Sequence, residues 1–150
     1  MSLVSKAMQR QHQECDDQIN RCEAALQKGD MAAAGRNFRL FNEYLESHFQ
    51  LEEEKLFPAF EKATGMSNGP TAVMRSEHAD IRHLRDQLAA ALESQQKDSA
   101  LGVLETLNVL IQQHNVKEEN ILYPMCEAQI PDLSSILGMG SPCCGACSCG

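Results

Sequence analysis

Histidine and glutamate recur in this chain at a spacing that suits metal coordination. The stretch HFQLEEEKLFPAFE at 48–61 returns as HNVKEENILYPMCE at 114–127, matching His48 with His114, Glu52 with Glu118, Glu53 with Glu119, Leu56 with Leu122, Phe57 with Tyr123, Pro58 with Pro124 and Glu61 with Glu127. The offset is 114 − 48 = 66, and 78 − 12 = 66 joins His12 to His78 by the same repeat. Of the five histidines, only His83 lies outside it.

Each His–Glu pair is spaced i, i+4, which on an α-helix separates the two side chains by about 40° and turns them to one face. The inner stripe that carries them includes Phe41, Leu45 and Leu56 in one half and Leu107, Ile111 and Leu122 in the other. A histidine on such a stripe is commonly a satisfied core residue, and one HxxxE is a weak signal. Packing, however, gives no reason to repeat both His and Glu at inward positions. Two carboxylates and four imidazoles in an apolar interior would be costly without counter-charge. A pair of divalent or trivalent cations resolves that cost.

The ligand count helps to choose the metal. Four imidazoles from His12, His48, His78 and His114, with Glu52 and Glu118 bridging, give each ion two histidines and a share of both carboxylates. Positions are left open on a six-coordinate ion. Iron fits this set best, manganese is compatible with it, and zinc, which takes four ligands in most sites, fits less well.

These residues need helices at a common level to meet. Apolar residues recur at helical spacing, and Ala, Leu, Gln and Glu dominate. Four helices are expected, at about 3–27, 31–62, 70–95 and 99–127, separated by Lys28-Gly29-Asp30, by GMSNGPT at 65–71 and by Lys97-Asp98. Asp30 is placed to cap the second helix. Such short connections favour antiparallel neighbours, hence an all-α, up-down-up-down four-helix bundle with an internal two-fold repeat. Residues equidistant from a turn share a height, and the midpoints of His12/His48, His48/His78 and His78/His114 are residues 30, 63 and 96, at or beside the three connections. Pro58 and Pro124 are expected to kink the second and fourth helices.

A chain of 150 residues suits one domain. The bundle is expected over 1–130, and 131–150 as a flexible Cys-rich tail, because DLSSILGMGSPCCGACSCG is rich in Gly, Ser and Pro. The net charge of −8 and the lack of a basic cluster argue against nucleic acid and anionic membrane as partners. No signal-type or membrane-spanning apolar run is evident, since LGVLETLNVLI is broken by Glu105 and Asn108. The chain therefore reads as soluble and cytoplasmic. Seven cysteines, four of them crowded into the last eight residues, do not resemble a secretory disulfide framework. Cys143, Cys144, Cys147 and Cys149 form CCxxCxC, which could wrap a soft metal ion, hold part of an Fe–S cluster or act as a dithiol.

Taken together, His12, HxxxE at His48 and Glu52, EHADI with His78, and HxxxE with EExxLYP at His114 and Glu118 resemble the hemerythrin-like (HHE cation-binding) family over roughly residues 5–128. The resemblance implies a bundle holding a non-haem di-iron centre that binds O2, NO or related oxidants such as peroxide. Oxygen-carrying members have a fifth histidine one turn after the third-helix histidine, where this chain has Arg82, and a fourth-helix aspartate, where it has Glu118. The four-His, two-Glu pattern is closer to di-iron members associated with nitrosative stress, cluster repair or iron sensing.

Around this set, Asp16 reads as a surface residue or imidazole partner in preference to a ligand, and His83, about 140° from His78, as facing away. Glu53 and Glu119 are candidates to accept the outer N–H of a ligand histidine on a neighbouring helix, or are solvated charges. Tyr44 and Tyr123 are candidates to line the pocket or simply to pack, and packing is the simpler reading. Three functions stay open: binding or sensing of a diatomic ligand; enzymatic reduction of NO or peroxide, or cluster repair, with a protein partner or electron donor; and metal trafficking through the tail.

Overall fold

The computed structural model describes residues 3–139, and the four tail cysteines lie outside them. Helices α1 (Leu3–Gln27), α2 (Met31–Leu51), α3 (Phe57–Thr64), α4 (Pro70–Glu93), α5 (Lys97–Lys117), α6 (Tyr123–Gln129) and α7 (Leu133–Ile136) account for most of the described residues. Two π-helical turns, Glu52–Leu56 and Glu118–Leu122, join α2 to α3 and α5 to α6 without a break. Four long rods result, and α1 packs on α2, α2 on α4, α4 on α5 and α5 on α1. This closed ring, joined by short connections, is the all-α up-down-up-down bundle the sequence suggests.

The connections follow local chemistry. Gly29 takes φ +78° and lets α1 stop, and the Asp30 carboxylate then accepts the Ala33 N–H at 3.1 Å as the cap of α2. Gly65, at φ +75°, ends α3 in the left-handed conformation. The turn between α4 and α5 closes earlier than the sequence suggests, because Gln95 itself adopts φ 58° and Lys97 already begins α5.

At Pro58 and Pro124 each helix widens just before its proline: the Phe57 and Tyr123 N–H groups bond to the Glu52 and Glu118 carbonyls, five residues back. A π turn takes up the one extra residue and relieves the clash that the proline ring makes with the preceding turn.

Two apolar clusters flank the middle of the bundle. One includes Ile19, Leu26, Phe41, Phe49, Leu88, Leu104 and Ile111. The other includes Met8, Leu56, Phe57, Phe60, Leu122, Tyr123, Leu133 and Leu137. His12, His78 and His114 fall between the two clusters along their rods, and His48 lies at the edge of the first, beside Phe49. Leu133 and Leu137, which follow Pro131, are 4% and 5% exposed and belong to this second cluster.

Candidate metal centre

His12 projects from the middle of α1, His48 from the end of α2, His78 from α4 and His114 from the end of α5. Glu52 and Glu118 open the two π turns. All six side chains are buried, and both carboxylates are fully shielded from solvent. Two groups of donor atoms form, His12/His48/Glu52/Glu118 and Glu52/His78/His114/Glu118, each with its atoms within 4.8 Å of one another.

Each carboxylate turns one oxygen to each histidine pair. Glu52 Oε2 lies 3.3 Å from His48 Nε2 while its Oε1 lies 3.0 Å from His78 Nε2. Glu118 Oε1 lies 2.9 Å from His12 Nε2 while its Oε2 lies 3.0 Å from His114 Nε2. Across the first pair, His12 Nε2 and His48 Nε2 are 3.1 Å apart.

The outer nitrogens explain why the inner ones converge. His12 Nδ1–H donates to Glu119 at 2.6 Å, His48 Nδ1–H to Gln11 at 2.6 Å, His78 Nδ1–H to Glu53 at 2.6 Å and His114 Nδ1–H to Glu77 at 2.7 Å. Each acceptor sits on a neighbouring helix, fixes the ring, and leaves Nε2 facing the interior. Glu53 and Glu119 thus take the partner role suggested by the sequence. Gln11 and Glu77 are additional, and they too obey the repeat, since 77 − 11 = 66.

The electrostatics favour a cation. Burial lowers the basicity of His48 and His78, yet Glu52 and Glu118 outweigh it and raise them to about 10 and about 9. Burial likewise opposes charge on Glu118, but His114 and the other imidazoles hold it well below the usual carboxylate range. Positive charge between the two carboxylates is therefore favoured. Even so, Glu52 Oε1, His78 Nε2, His114 Nε2 and Glu118 Oε2 make no well-formed hydrogen bond despite their complete burial. Bare imidazole nitrogens and carboxylate oxygens aimed at one space fit a borderline or hard cation such as iron or manganese.

Other sequence candidates fall outside this cluster. Asp16 is half-buried and accepts from Gln112 at 2.8 Å, and burial raises its pKa. His83 is exposed and pairs with Gln87. Arg82 turns to Glu46 and Glu53, donating to the latter at 2.7 Å. Tyr44 is 41% exposed. Tyr123, read from the sequence as lining the pocket or packing, is fully buried with its hydroxyl inside the cluster, 2.6 Å from Glu52 and 2.8 Å from Glu118. Burial first, and then the two carboxylates, push this phenol well above its ordinary pKa.

A cavity of about 10 Å³, room for roughly one water-sized molecule, adjoins the cluster. His12, Cys15, Leu45, His48, Phe49, Ile81, Ile111, His114 and Asn115 line it. His12 and Asn115 also line an open surface cleft of about 290 Å³ between α1 and α5.

Comparison with known proteins places this geometry. Residues 3–126 match the Hemerythrin HHE cation binding domain. The chain belongs to this family. Hemerythrin-domain relatives include the iron-sulfur cluster repair protein YtfE of Edwardsiella ictaluri (strain 93-146), 30% identical over 141 residues, or 81% of this chain and 63% of that protein. The same-named protein of Enterobacter sp. (strain 638) is 32% identical over 95 residues, or 57% of this chain and 43% of that protein. This hemerythrin-domain chain thus spans less than two thirds of the length of these relatives. No solved structure matches it. Among the described residues no helix is long and apolar enough to cross a membrane.

Proposed function

We propose that this chain is a non-haem di-iron protein that binds or senses a diatomic ligand, O2 or NO, at the His/Glu cluster. The observation that carries the proposal is the sharing of both carboxylates: Glu52 and Glu118 each give one oxygen to each histidine pair. His12 and His48 would hold one ion, His78 and His114 the other, and the carboxylates would bridge them. Iron bound there would supply redox-active centres with coordination positions open to a small ligand.

The chain's own residues limit what arrives. The apolar, one-molecule cavity beside His12, His48 and His114 selects by size. Asn115, 8% exposed, lines both that cavity and the cleft on α1 and α5, as His12 does, which makes this side a candidate point of entry for a small ligand. Glu53, Glu77, Glu119 and Gln11 hold the imidazoles in one tautomer and orientation throughout.

A second reading draws on the relatives named as iron-sulfur cluster repair proteins. In that reading the same centre gives iron to a damaged cluster or reduces NO or peroxide, with a cytoplasmic protein partner or electron donor. The cysteines of 143–149 would be candidates for metal transfer there.

Optical spectra of the anaerobic, iron-loaded protein before and after O2 and NO test the leading reading. Stoichiometric, reversible spectral changes support ligand binding. Consumption of the gas with added reductant favours the enzyme, and spectra unmoved by either gas would refute both.

A further inference from the structure

Phe57 and Tyr123 hold the same position in the internal repeat, 123 − 57 = 66, and differ by one hydroxyl. That hydroxyl breaks the symmetry of the centre. Tyr123 Oη lies 3.2 Å from His12 Nε2, 3.5 Å from His48 Nε2, 2.6 Å from Glu52 Oε2 and 2.8 Å from Glu118 Oε1. These are the four inner donor atoms of the first ligand group, and no oxygen of this kind faces the second. There the matching Phe57 ring lies tilted against His78, with centroids 5.5 Å apart.

The separations discriminate between a hydrogen-bond donor that merely packs and a donor atom of the site. For bonds of about 2.1 Å, neighbouring donors around an octahedral ion stand about 3.0 Å apart. Within the first group, His12 Nε2 to His48 Nε2 is 3.1 Å, His12 Nε2 to Glu118 Oε1 is 2.9 Å and His48 Nε2 to Glu52 Oε2 is 3.3 Å. The hydroxyl lies 2.6 to 3.5 Å from the four atoms, a range that spans the separation of about 3.0 Å expected of a donor that caps them. A phenol has a single proton to donate, yet this one meets two carboxylate oxygens, at 2.6 and 2.8 Å.

The local backbone places it there. Residues five apart on an α-helix sit about 140° out of phase, whereas the extra residue of a π turn removes most of that difference. The turn Glu118–Leu122 thereby lays Tyr123 over the face of Glu118.

We infer that Tyr123 is a fifth protein ligand, through its phenolate oxygen, to the cation held by His12 and His48, making the two ions of the centre inequivalent. The inference rests on the di-iron reading above. Coordination forms a bond from Oη to the cation, breaks the O–H bond and releases that proton to solvent, as deprotonating ligands do when they bind metal. No change of oxidation state is required. The His78/His114 position keeps more of its coordination free.

The chain contains two tyrosines, and the other, Tyr44, is 41% exposed on the outside of α2, so a tyrosine label reports on one candidate. The experiment uses full-length protein with ring-deuterated tyrosine, loaded anaerobically with ferrous iron, then oxidised, with iron counted before any spectrum is taken. The expected result is a set of resonance-enhanced phenolate vibrations that shift on ring deuteration. They are lost, with a visible charge-transfer band, in Tyr123→Phe, which retains the same iron content. Iron-loaded wild-type protein without phenolate vibrations, or Tyr123→Phe that keeps them, overturns the assignment. Protein that takes up no iron overturns the di-iron reading itself, and the iron count separates that failure from the other.

Discussion

Glu53 accepts the outer N–H of His78 at 2.6 Å, and the same carboxylate oxygen is held by Arg82, one turn beyond His78, at 2.7 Å. Arg82 occupies the position where oxygen-carrying relatives have a further histidine. Here it does not approach the cluster; it secures the residue that orients a neighbour's imidazole. Arg82 also pairs with Glu46 and lies over the Phe49 ring, 5.0 Å from its centroid, so its head is held from several sides.

Removing such an acceptor loosens the ring it holds. Glu53→Ala and Glu119→Ala are each expected to lower metal affinity about 10- to 100-fold while leaving the helical content unchanged. Competition with a chelator of known affinity measures this, and unchanged affinity in both variants would contradict the orienting role.

Asn115 lines both the inner cavity and the outer cleft. Asn115→Leu, similar in size but without the polar amide, is expected to leave iron content intact and to change the rate of ligand association about tenfold or less. Asn115→Phe should slow it further by obstructing the route. Stopped-flow mixing with NO gives both rates, and identical rates in all three proteins would show that ligand enters elsewhere.

The segment after Pro131 is held by two leucines. Leu137→Ala is expected to cost roughly 2 kcal/mol, the low end for a buried leucine, because the site lies at the edge of its cluster. Urea unfolding measures the loss, and hydrogen exchange should rise first in 131–139. A change below about 0.5 kcal/mol would mean that this segment contributes little to the fold.

The three cysteines inside the bundle are protected thiols. Burial pushes Cys15 up to about 12 and Cys22 to about 11, and burial with the nearby Glu52 and Glu118 charges pushes Cys126 to about 12. Raised values mean that the reactive thiolate is scarce at pH 8 and accumulates only as pH climbs toward 11 to 12. Iodoacetamide at pH 8 should therefore leave Cys15, Cys22 and Cys126 unmodified in folded protein and label all three after denaturation. Peptide mapping by mass reads this directly, and rapid labelling in the folded state would refute it.

Much of this architecture was legible because two periods coincide in the sequence. The helical period marked the inner stripe, and the 66-residue repeat marked which inner residues were more than packing. The same repeat also pointed to Gln11 and Glu77, which lie beside His12 and His78, although one-residue neighbours look outward on a helical wheel and so attract less notice. Tyr123 was hidden by phase. Measured along an ideal α-helix from Glu118 it points away from the site, and only the π turn before Pro124 restores it. Proline's missing donor predicted a disturbance there but not its form. The packing of Leu133 and Leu137 was not legible from composition, because glycine and serine surround the two leucines.

The central claim is that Glu52 and Glu118 together hold two metal ions between four histidines. The most direct measurement is metal analysis of anaerobically reconstituted wild-type protein beside Glu52→Ala/Glu118→Ala. The account predicts about two irons per chain, one for each histidine pair with a shared carboxylate set, and their loss in the double variant. Iron that persists in the double variant, or metal that follows Cys143, Cys144, Cys147 and Cys149 instead of the bundle, would contradict it.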